Sequence, residues 1–409
     1  MSKADHIPDV VLYSFFPWRH EYPSTAHGLA RALAKHTRVW YVSKPPTLKD
    51  ALKNRSEIRT WRTAKINPVE GYTCTGKLGP SLFEVDLPPT LPINALKPGG
   101  FYNKLRVQVD RGLNNALSEA LQAADVEDFI WINLYAPTQF IDLNLHCKPV
   151  ARYYYSVDAI GQANYTGKHG VGAEKTQLRY SDAGFATSTH LAATLSAFAK
   201  TPHVLPNAMA TEHYVDREIE VEPADLQKIP HPRLGYVGNL DGARIDFEAL
   251  MVLAKARPEL HQVYIGPWNA GDEMRKQFEA FPNIHLLGRK DQAACPAYLQ
   301  HVDVGMIPFR VTELTAAIYP LKINEYLALG LPVISTSFSS DIEAFNATIT
   351  LADSGSWSEK IDEALTANSL AEIKKRKEIA STNTWDARAA KFLQIVGLKD
   401  DRPKASSVC

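Results

Sequence analysis

Four cysteines stand in 409 residues, at Cys74, Cys147, Cys295 and Cys409, far apart and never as CxxC. That scarcity argues against a disulfide framework and reads as reduced thiols. His and Cys nowhere cluster at zinc spacing, so no metal site is expected. No stretch of about 18 residues is apolar and free of charge, which leaves no candidate transmembrane helix. The opening MSKADHIPDVVLYSFFPWRHEYP lacks the long apolar core and small-residue cleavage site of a signal peptide. Excess charge is missing too: Lys+Arg and Asp+Glu both number 45. Such a balance argues against a dedicated nucleic-acid binder. The expectation is a cytoplasmic protein with no nucleic-acid partner. Peripheral contact with the inner membrane face is kept as a further option.

Nucleotide fingerprints are absent as well. A dinucleotide site needs GxGxxG after the first strand, and the loop SFFPWRHEYPSTAHG has no such cluster, which disfavours an NAD enzyme. GKHGVGAEKT (167–176) only superficially resembles a P-loop. Ala173 and Glu174 separate its last glycine from Lys175-Thr176, and no strand leads directly into it.

What is present is alternation. DVVLYSFF, TAHGLARALAKH and TRVWYVS read as strand, helix and strand, a unit that implies a parallel sheet. DFIWINLYAP and PVARYYYSVD read as further buried strands, HLAATLSAFAK as a helix and PHVLPNAM as a short strand. A second alternation starts at RLGYVGNL and runs through QVYIG, NIHLLG and VGMIPF, with EAFNATITLA continuing the sheet. The expected fold class is α/β, two Rossmann-like doubly wound domains facing a cleft. Residues 1–206 form the first domain, with an irregular, proline-rich insertion at about 45–100. Residues 207–232 form a polar linker, 233–380 the second domain, and 381–409 a last helix with its tail. Within the insertion, LKDALKNRSEIRTWRTAK carries six basic and two acidic residues. It reads either as a solvated helix face or as a dock for an anionic lipid or a phosphate-bearing acceptor.

The stretch YPLKINEYLALGLPVIST (319–336) holds the strongest chemical signal. Pro320 suits a first helical turn, Gly330 a helix end, and Pro332 forbids continuation. A helix from about Leu321 to Leu329 would present unpaired N–H groups and a partial positive charge at its start, a ready phosphate site. Lys322 adds a full charge. Glu325, one turn on, can accept two hydrogen bonds from a ribose diol. On local physics alone, Glu325 complementing the helix dipole and Lys322 as a surface charge is an equal reading.

LTAAIYPLKINEYLALGLPVIST closely resembles the donor-site segment of GT-B glycosyltransferases of the group-one type, family four. It is most like the branch seen in teichuronic-acid and exopolysaccharide transferases. GYVGNLDGARID resembles the glycine loop of the donor domain, and NIHLLGRKDQAACPAYLQHVDVGMIPF its later strands. VLPNAM resembles the interdomain hinge, and TWDARAAKFLQIV the terminal helix that crosses back to the first domain. The resemblance implies the GT-B fold and transfer of a sugar from a nucleoside-diphosphate donor, UDP-linked by family usage, to a hydroxyl in envelope or polysaccharide assembly. The acceptor would be a saccharide or a lipid-linked saccharide. It implies Glu325 on the donor ribose, Lys322 on the diphosphate, the backbone near Arg289 facing the base, and Gly238 and Asn239 against the diphosphate or acceptor. Tyr319 and Leu321 flank that helix start and join the donor set. Arg244 is either paired structurally with Asp246 or a ligand contact. Many group-one enzymes have an acid where this chain has Ala317, so Glu313 or Thr315 would reach the sugar instead, and retention or inversion of the anomeric centre stays open. No cofactor or metal is implied. Nucleotide-sugar epimerases on the same architecture, and non-catalytic two-lobed binding proteins, remain as rivals.

For proton removal the candidates are Asp158, at the end of RYYYSVD, and His27, in STAHGLA. Each has a helix-capping alternative. Arg19 and Glu21, in the same first loop, are weaker candidates, and Ser188, in FATSTHLA, is either an acceptor contact or, the commoner role for such a serine, a helix cap.

Overall fold

The computed structural model describes residues 7–398 apart from 21–23, 55–59, 75–78, 163–166, 200–201, 216 and 354. It divides into two compact units, Met1–Pro206 with Asp386–Cys409, and Asn207–Trp385.

The first unit is built on an eight-stranded sheet in the order β3-β4-β2-β1-β5-β6-β7-β8. Its strands are β1 (Asp9–Ser14), β2 (Val39–Ser43), β3 (Lys65–Pro68), β4 (Leu82–Asp86), β5 (Phe129–Leu134), β6 (Ala151–Ser156), β7 (Ala183–Ala186) and β8 (Pro202–Val204). β1, β2 and β5 are buried along their whole length, as uninterrupted apolar strands covered on both faces should be. All pairings are parallel except the edge pair β3–β4. The expected irregular insertion is therefore partly ordered: SLFEVD extends the sheet beside β2, and KINP closes its edge. Prolines on either side of these short strands hide them from a reading by composition, since proline is tolerated at strand ends and edges. GKHGVGAEKT lies inside the helix Gly167–Tyr180, which leaves no phosphate loop there. The C-terminal helix Trp385–Ile395 packs Phe392 on Tyr153 and Phe185, and Arg388 Nε donates to Pro206 O at 2.9 Å.

The second unit has six strands in the order β11-β10-β9-β12-β13-β14. They are β9 (Arg233–Val237), β10 (His261–Ile265), β11 (Ile284–Gly288), β12 (Val304–Ile307), β13 (Val333–Ser335) and β14 (Thr350–Leu351). Every pairing is parallel. Counted within the unit this is 3-2-1-4-5-6, the dinucleotide-fold order, whose switch point lies between β9 and β12. The stretch 207–232 packs on this sheet. Leu226 and Ile229 bury against Val263, Ile265, Cys295 and Tyr298, while Asp225 accepts from Lys290 Nζ at 2.7 Å and from Tyr298 Oη at 2.9 Å.

Candidate functional site

The helix Leu321–Ala328 buries Ile323, Tyr326 and Leu327 in the core of the unit, and the Tyr326 ring sets it against the switch point. Gly305 on β12 has no Cβ, and one placed there would stand 2.6 Å from the Tyr326 ring. The ring fills that gap, and its hydroxyl accepts from Val237 N at 3.2 Å, at the carboxyl end of β9. The other end of the helix closes on Gly330, whose φ of +74° suits the left-handed position after a C-cap. Gly330 N donates to Leu327 O and Leu331 N to Tyr326 O, both at 3.0 Å. At the start, Pro320 offers no side-chain cap. The first-turn N–H groups therefore keep the partial positive charge of a helix N-terminus.

Lys322 stands in that first turn. Its ammonium lies 5.1 Å from the centre of the Tyr236 ring and 5.8 Å from that of Phe309, and it crosses the backbone of Gly238. A Cβ on Gly238 would meet Lys322 Cε at 2.5 Å. The strand-to-loop turn is equally tight below: Gly238 N donates to Ile265 O at 2.8 Å, and a Cβ on Gly266 would fall 1.9 Å from Gly238 O. Glycine here is required by close approach. Burial pulls the Lys322 ammonium down to about 8. Glu325 opposes that shift and the Arg244 charge adds to it. Burial pushes the Glu325 carboxyl up, against the Lys322 charge and a hydrogen bond donated by Tyr214. Lys322 and Glu325 are thus a partly desolvated, electrostatically coupled pair at one helix start, each with its proton affinity shifted by burial toward the neutral form. Such pairs favour functional positions, although structural networks produce them as well.

Around them, Asn239 receives two bonds: its carbonyl from Tyr236 Oη at 3.1 Å and its side-chain Oδ1 from Asn269 Nδ2 at 2.5 Å. Arg244 pairs with Asp241 at 3.0 Å. The suggested Arg244–Asp246 pair is corrected: Asp246 caps the helix Phe247–Ala256, accepting from Ala249 N at 3.1 Å. Sequence order misleads here because Asp241 and Arg244 close one turn, while Asp246 already belongs to the next helix.

Other expected residues do not converge on the pair. Tyr319 is buried, its hydroxyl donating to Asn324 Oδ1 at 3.2 Å, and Leu321 is exposed. Thr315 is fully buried in a reciprocal cap with Thr312 and donates to Arg310 O, so its hydroxyl is committed to the backbone. Glu313 is exposed at the first turn of that short helix, and Arg289 is exposed just beyond β11. In the first unit, β6 ends at Ser156, so Asp158 lies in the following bend, exposed, and not at the strand's last residue. His27 is buried with both ring nitrogens engaged: Nδ1 accepts from Ser24 N at 3.0 Å, and Nε2 stands 2.9 Å from Trp18 O. Burial lowers its pKa to about 4, which fits a capping imidazole. Ser188 caps the helix Thr189–Leu195, accepting from Leu191 N at 3.2 Å. Arg19 pairs with Glu84 at 3.3 Å. Glu21 lies outside the described residues, as do positions 55–59 of the basic stretch.

Three contributors escape the sequence reading. Tyr214 lies in a stretch that reads as linker and bonds Glu325. Tyr236 reads as an ordinary strand residue and floors Lys322. Cys295 is buried near Glu325, and burial with that carboxylate pushes its thiol up to about 11. No local pattern announces any of them. Among the described residues no group of three metal-ligating side chains converges, and no helix is long and apolar enough to cross a membrane.

Residues 231–367 match the family model for glycosyl transferases group 1. The Bacillus subtilis (strain 168) protein TuaH, named for teichuronic acid biosynthesis as a glycosyltransferase, is 26% identical over 147 residues. That match covers 36% of this chain and 37% of the relative, so the chain aligns with little more than a third of that protein's length. Among solved structures, the Escherichia coli trehalose-6-phosphate protein bound with UDP-2-fluoro glucose superposes with a TM-score of 0.65 at 13% identity, covering 96% of this chain and 100% of that one. Sucrose-phosphate synthase from Thermosynechococcus elongatus gives 0.65 at 14% identity, covering 96% and 98%. The fold is GT-B, two Rossmann-like domains, and the segment that matches the group 1 glycosyl transferase model, 231–367, lies in the second unit.

Proposed function

We propose that the chain is a glycosyltransferase that moves a sugar from a nucleoside-diphosphate donor, UDP-linked, to an acceptor hydroxyl in cell-envelope or exopolysaccharide assembly. One observation carries this reading: Lys322, in no close ion pair among the described residues, crosses the Gly238 backbone at an uncapped helix start, with Glu325 one turn on. In this reading the ammonium and the first-turn N–H groups take the diphosphate, and Glu325 takes the ribose diol. The same charges stabilise the leaving nucleoside diphosphate as the glycosidic bond breaks, so the donor is held without a metal ion. In this reading the backbone near Arg289 faces the base. We assign proton removal from the acceptor to Asp158, because both nitrogens of His27 are already taken.

The acceptor is a saccharide or lipid-linked saccharide met at the inner membrane face. Leu52 and Trp61 are exposed apolar residues, with Lys49, Lys53 and Arg62 close to them in the chain. That mixture suits a peripheral contact with anionic lipid.

A thermal-shift panel of UDP, GDP, ADP and dTDP, with and without Mg2+, tests the donor site. A ligand at about 100 times its Kd stabilises by about 2.7 kcal/mol. The reading expects a shift with one nucleotide, independent of metal and lost in Lys322→Ala/Glu325→Ala. A folded protein indifferent to all four nucleotides would overturn it.

A further inference from the structure

Two adjoining cavities, of about 230 and 30 Å³, open in the first unit beyond the end of β2 and share Lys44, Thr138 and Asn94. Lys44 is the first residue after β2, and its N–H donates to Ser14 O at 3.0 Å, which fixes the side chain's root. Its ammonium lies 3.8 Å from the centre of the Phe15 ring. An aromatic face attracts a cation but accepts none of its three N–H bonds in the way a carboxylate does. No hydrogen bond or close ion pair reaches that ammonium from the described residues.

The other charges around the cavities are accounted for. Arg106 is taken by Asp110 at 2.8 Å and by Asp142 at 3.0 Å. Lys168 donates to Ala95 O at 2.9 Å. Asp50, the one acid lining either cavity among the described residues, turns its carboxylate to the cap at Thr47, 2.7 Å from Thr47 Oγ1. The hydroxyls of Thr90 and Thr138 and the amide of Asn94 have no protein partner among the described residues. A half-buried cation beside unpaired hydroxyls and an amide, in a space that accommodates a sugar ring, is matched by a polyhydroxylated ligand bearing one negative group. Burial also pulls the Lys44 ammonium down to about 8, a cost that a bound anion would remove.

We propose that this cavity is the acceptor subsite and that Lys44 binds an anionic group, phosphate or carboxylate, on the acceptor sugar. The assignment rests on the transferase reading for the word acceptor. Anion binding itself is measured apart from the donor.

The test is calorimetric titration of the full chain with glucose 6-phosphate, glucuronate and geranyl diphosphate, with glucose as the neutral control. Wild type should bind at least one anionic probe ten or more times tighter than glucose. A sugar phosphate, a sugar carboxylate and a lipid diphosphate are told apart by which probe binds. Lys44→Met should abolish that preference, Lys44→Arg should keep part of it, and Asp50→Asn, which leaves Lys44 in place, should strengthen it. UDP affinity, read on the same samples, should stay within twofold throughout; its loss in wild type alone would strike the donor reading and not this one. Equal binding of glucose and every anion, or an anion preference that survives Lys44→Met, would overturn the proposal.

Discussion

Lys322→Met should make the empty protein more stable while weakening its hold on a nucleoside diphosphate. The ammonium is pulled from an ordinary 10.5 to about 8, with the favourable Glu325 interaction already included. Each pKa unit is worth about 1.4 kcal/mol, so the charged form costs about 3 kcal/mol in the folded state. Lys322 is only partly buried, and its two aromatic neighbours return about 0.5–1 kcal/mol each, which leaves a net gain of about 1–2 kcal/mol for the methionine variant. The sign follows from proton counts. Below pH 8 the lysine is protonated in both states, and the folded state bears the full cost. Between pH 8 and 10.5 the unfolded chain keeps a proton that the folded one has shed, so wild-type stability climbs with pH. The variant's advantage should therefore be full at pH 7 and gone by about pH 10.5. Amide exchange in β9 and β12 reads the second unit alone, and should show protection rising at pH 7. With UDP present the order reverses. Loss of a charge-assisted bond of about 1.5–3 kcal/mol lowers affinity about 10- to 100-fold. A variant that is destabilised at pH 7 and binds UDP as well as wild type would refute both halves of this reasoning.

Other substitutions probe the supports of the site. Gly266→Ala places a methyl 1.9 Å from Gly238 O at a φ of +148°, and should cost about 2–5 kcal/mol by thermal or urea unfolding; a neutral result would mean the turn can open without loss. Tyr214→Phe removes the hydrogen bond that holds the Glu325 carboxyl down, so the acid limb of UDP binding should move to higher pH; an unmoved limb would separate Glu325 from nucleotide binding. Asp158→Asn should leave UDP affinity within twofold and lower turnover about 10²- to 10⁴-fold, whereas full turnover would remove it from the chemistry.

The sequence displayed the parallel architecture well, because β1, β2, β5, β9 and β12 are short apolar runs separated by helices of regular period. It showed β3 and β4 poorly. Proline-rich flanks and brief length make two genuine strands look like loop, and only the pairing of β4 with β2, and of the edge strand β3 with β4, gives them their place. The helix Leu321–Ala328 was legible to within one residue from Pro320 and Gly330, since each residue's backbone restriction acts locally. The chemistry of its first turn was legible in part. Lys322 and Glu325 announce themselves by type and spacing, but their altered proton affinities come first from burial, with Arg244 adding to the shift at Lys322 and Tyr214 opposing the one at Glu325, and none of this shows in the local sequence.

Three of the candidate residues share one ambiguity. Thr315, His27 and Ser188 have side chains that either cap a helix or serve a ligand, and a sequence cannot tell which bond is made. In the structure each is engaged by nearby backbone. A side chain already bonded to its own helix must give up that bond to reach a substrate, at about 0.5–2 kcal/mol for a cap. Lys322 and Lys44 face no such competition. Each is a long cation, drawn down to about 8 by burial and laid over an aromatic ring, with no close ion pair among the described residues. A fold gains nothing in stability from a desolvated cation kept in that state, because replacing it by an apolar residue of similar length removes the desolvation cost. The same substitution, lysine to methionine, therefore separates a binding role from a structural one at both positions. A structural lysine would lose stability and leave ligand affinity alone, whereas a binding lysine should gain stability and lose affinity for its anion.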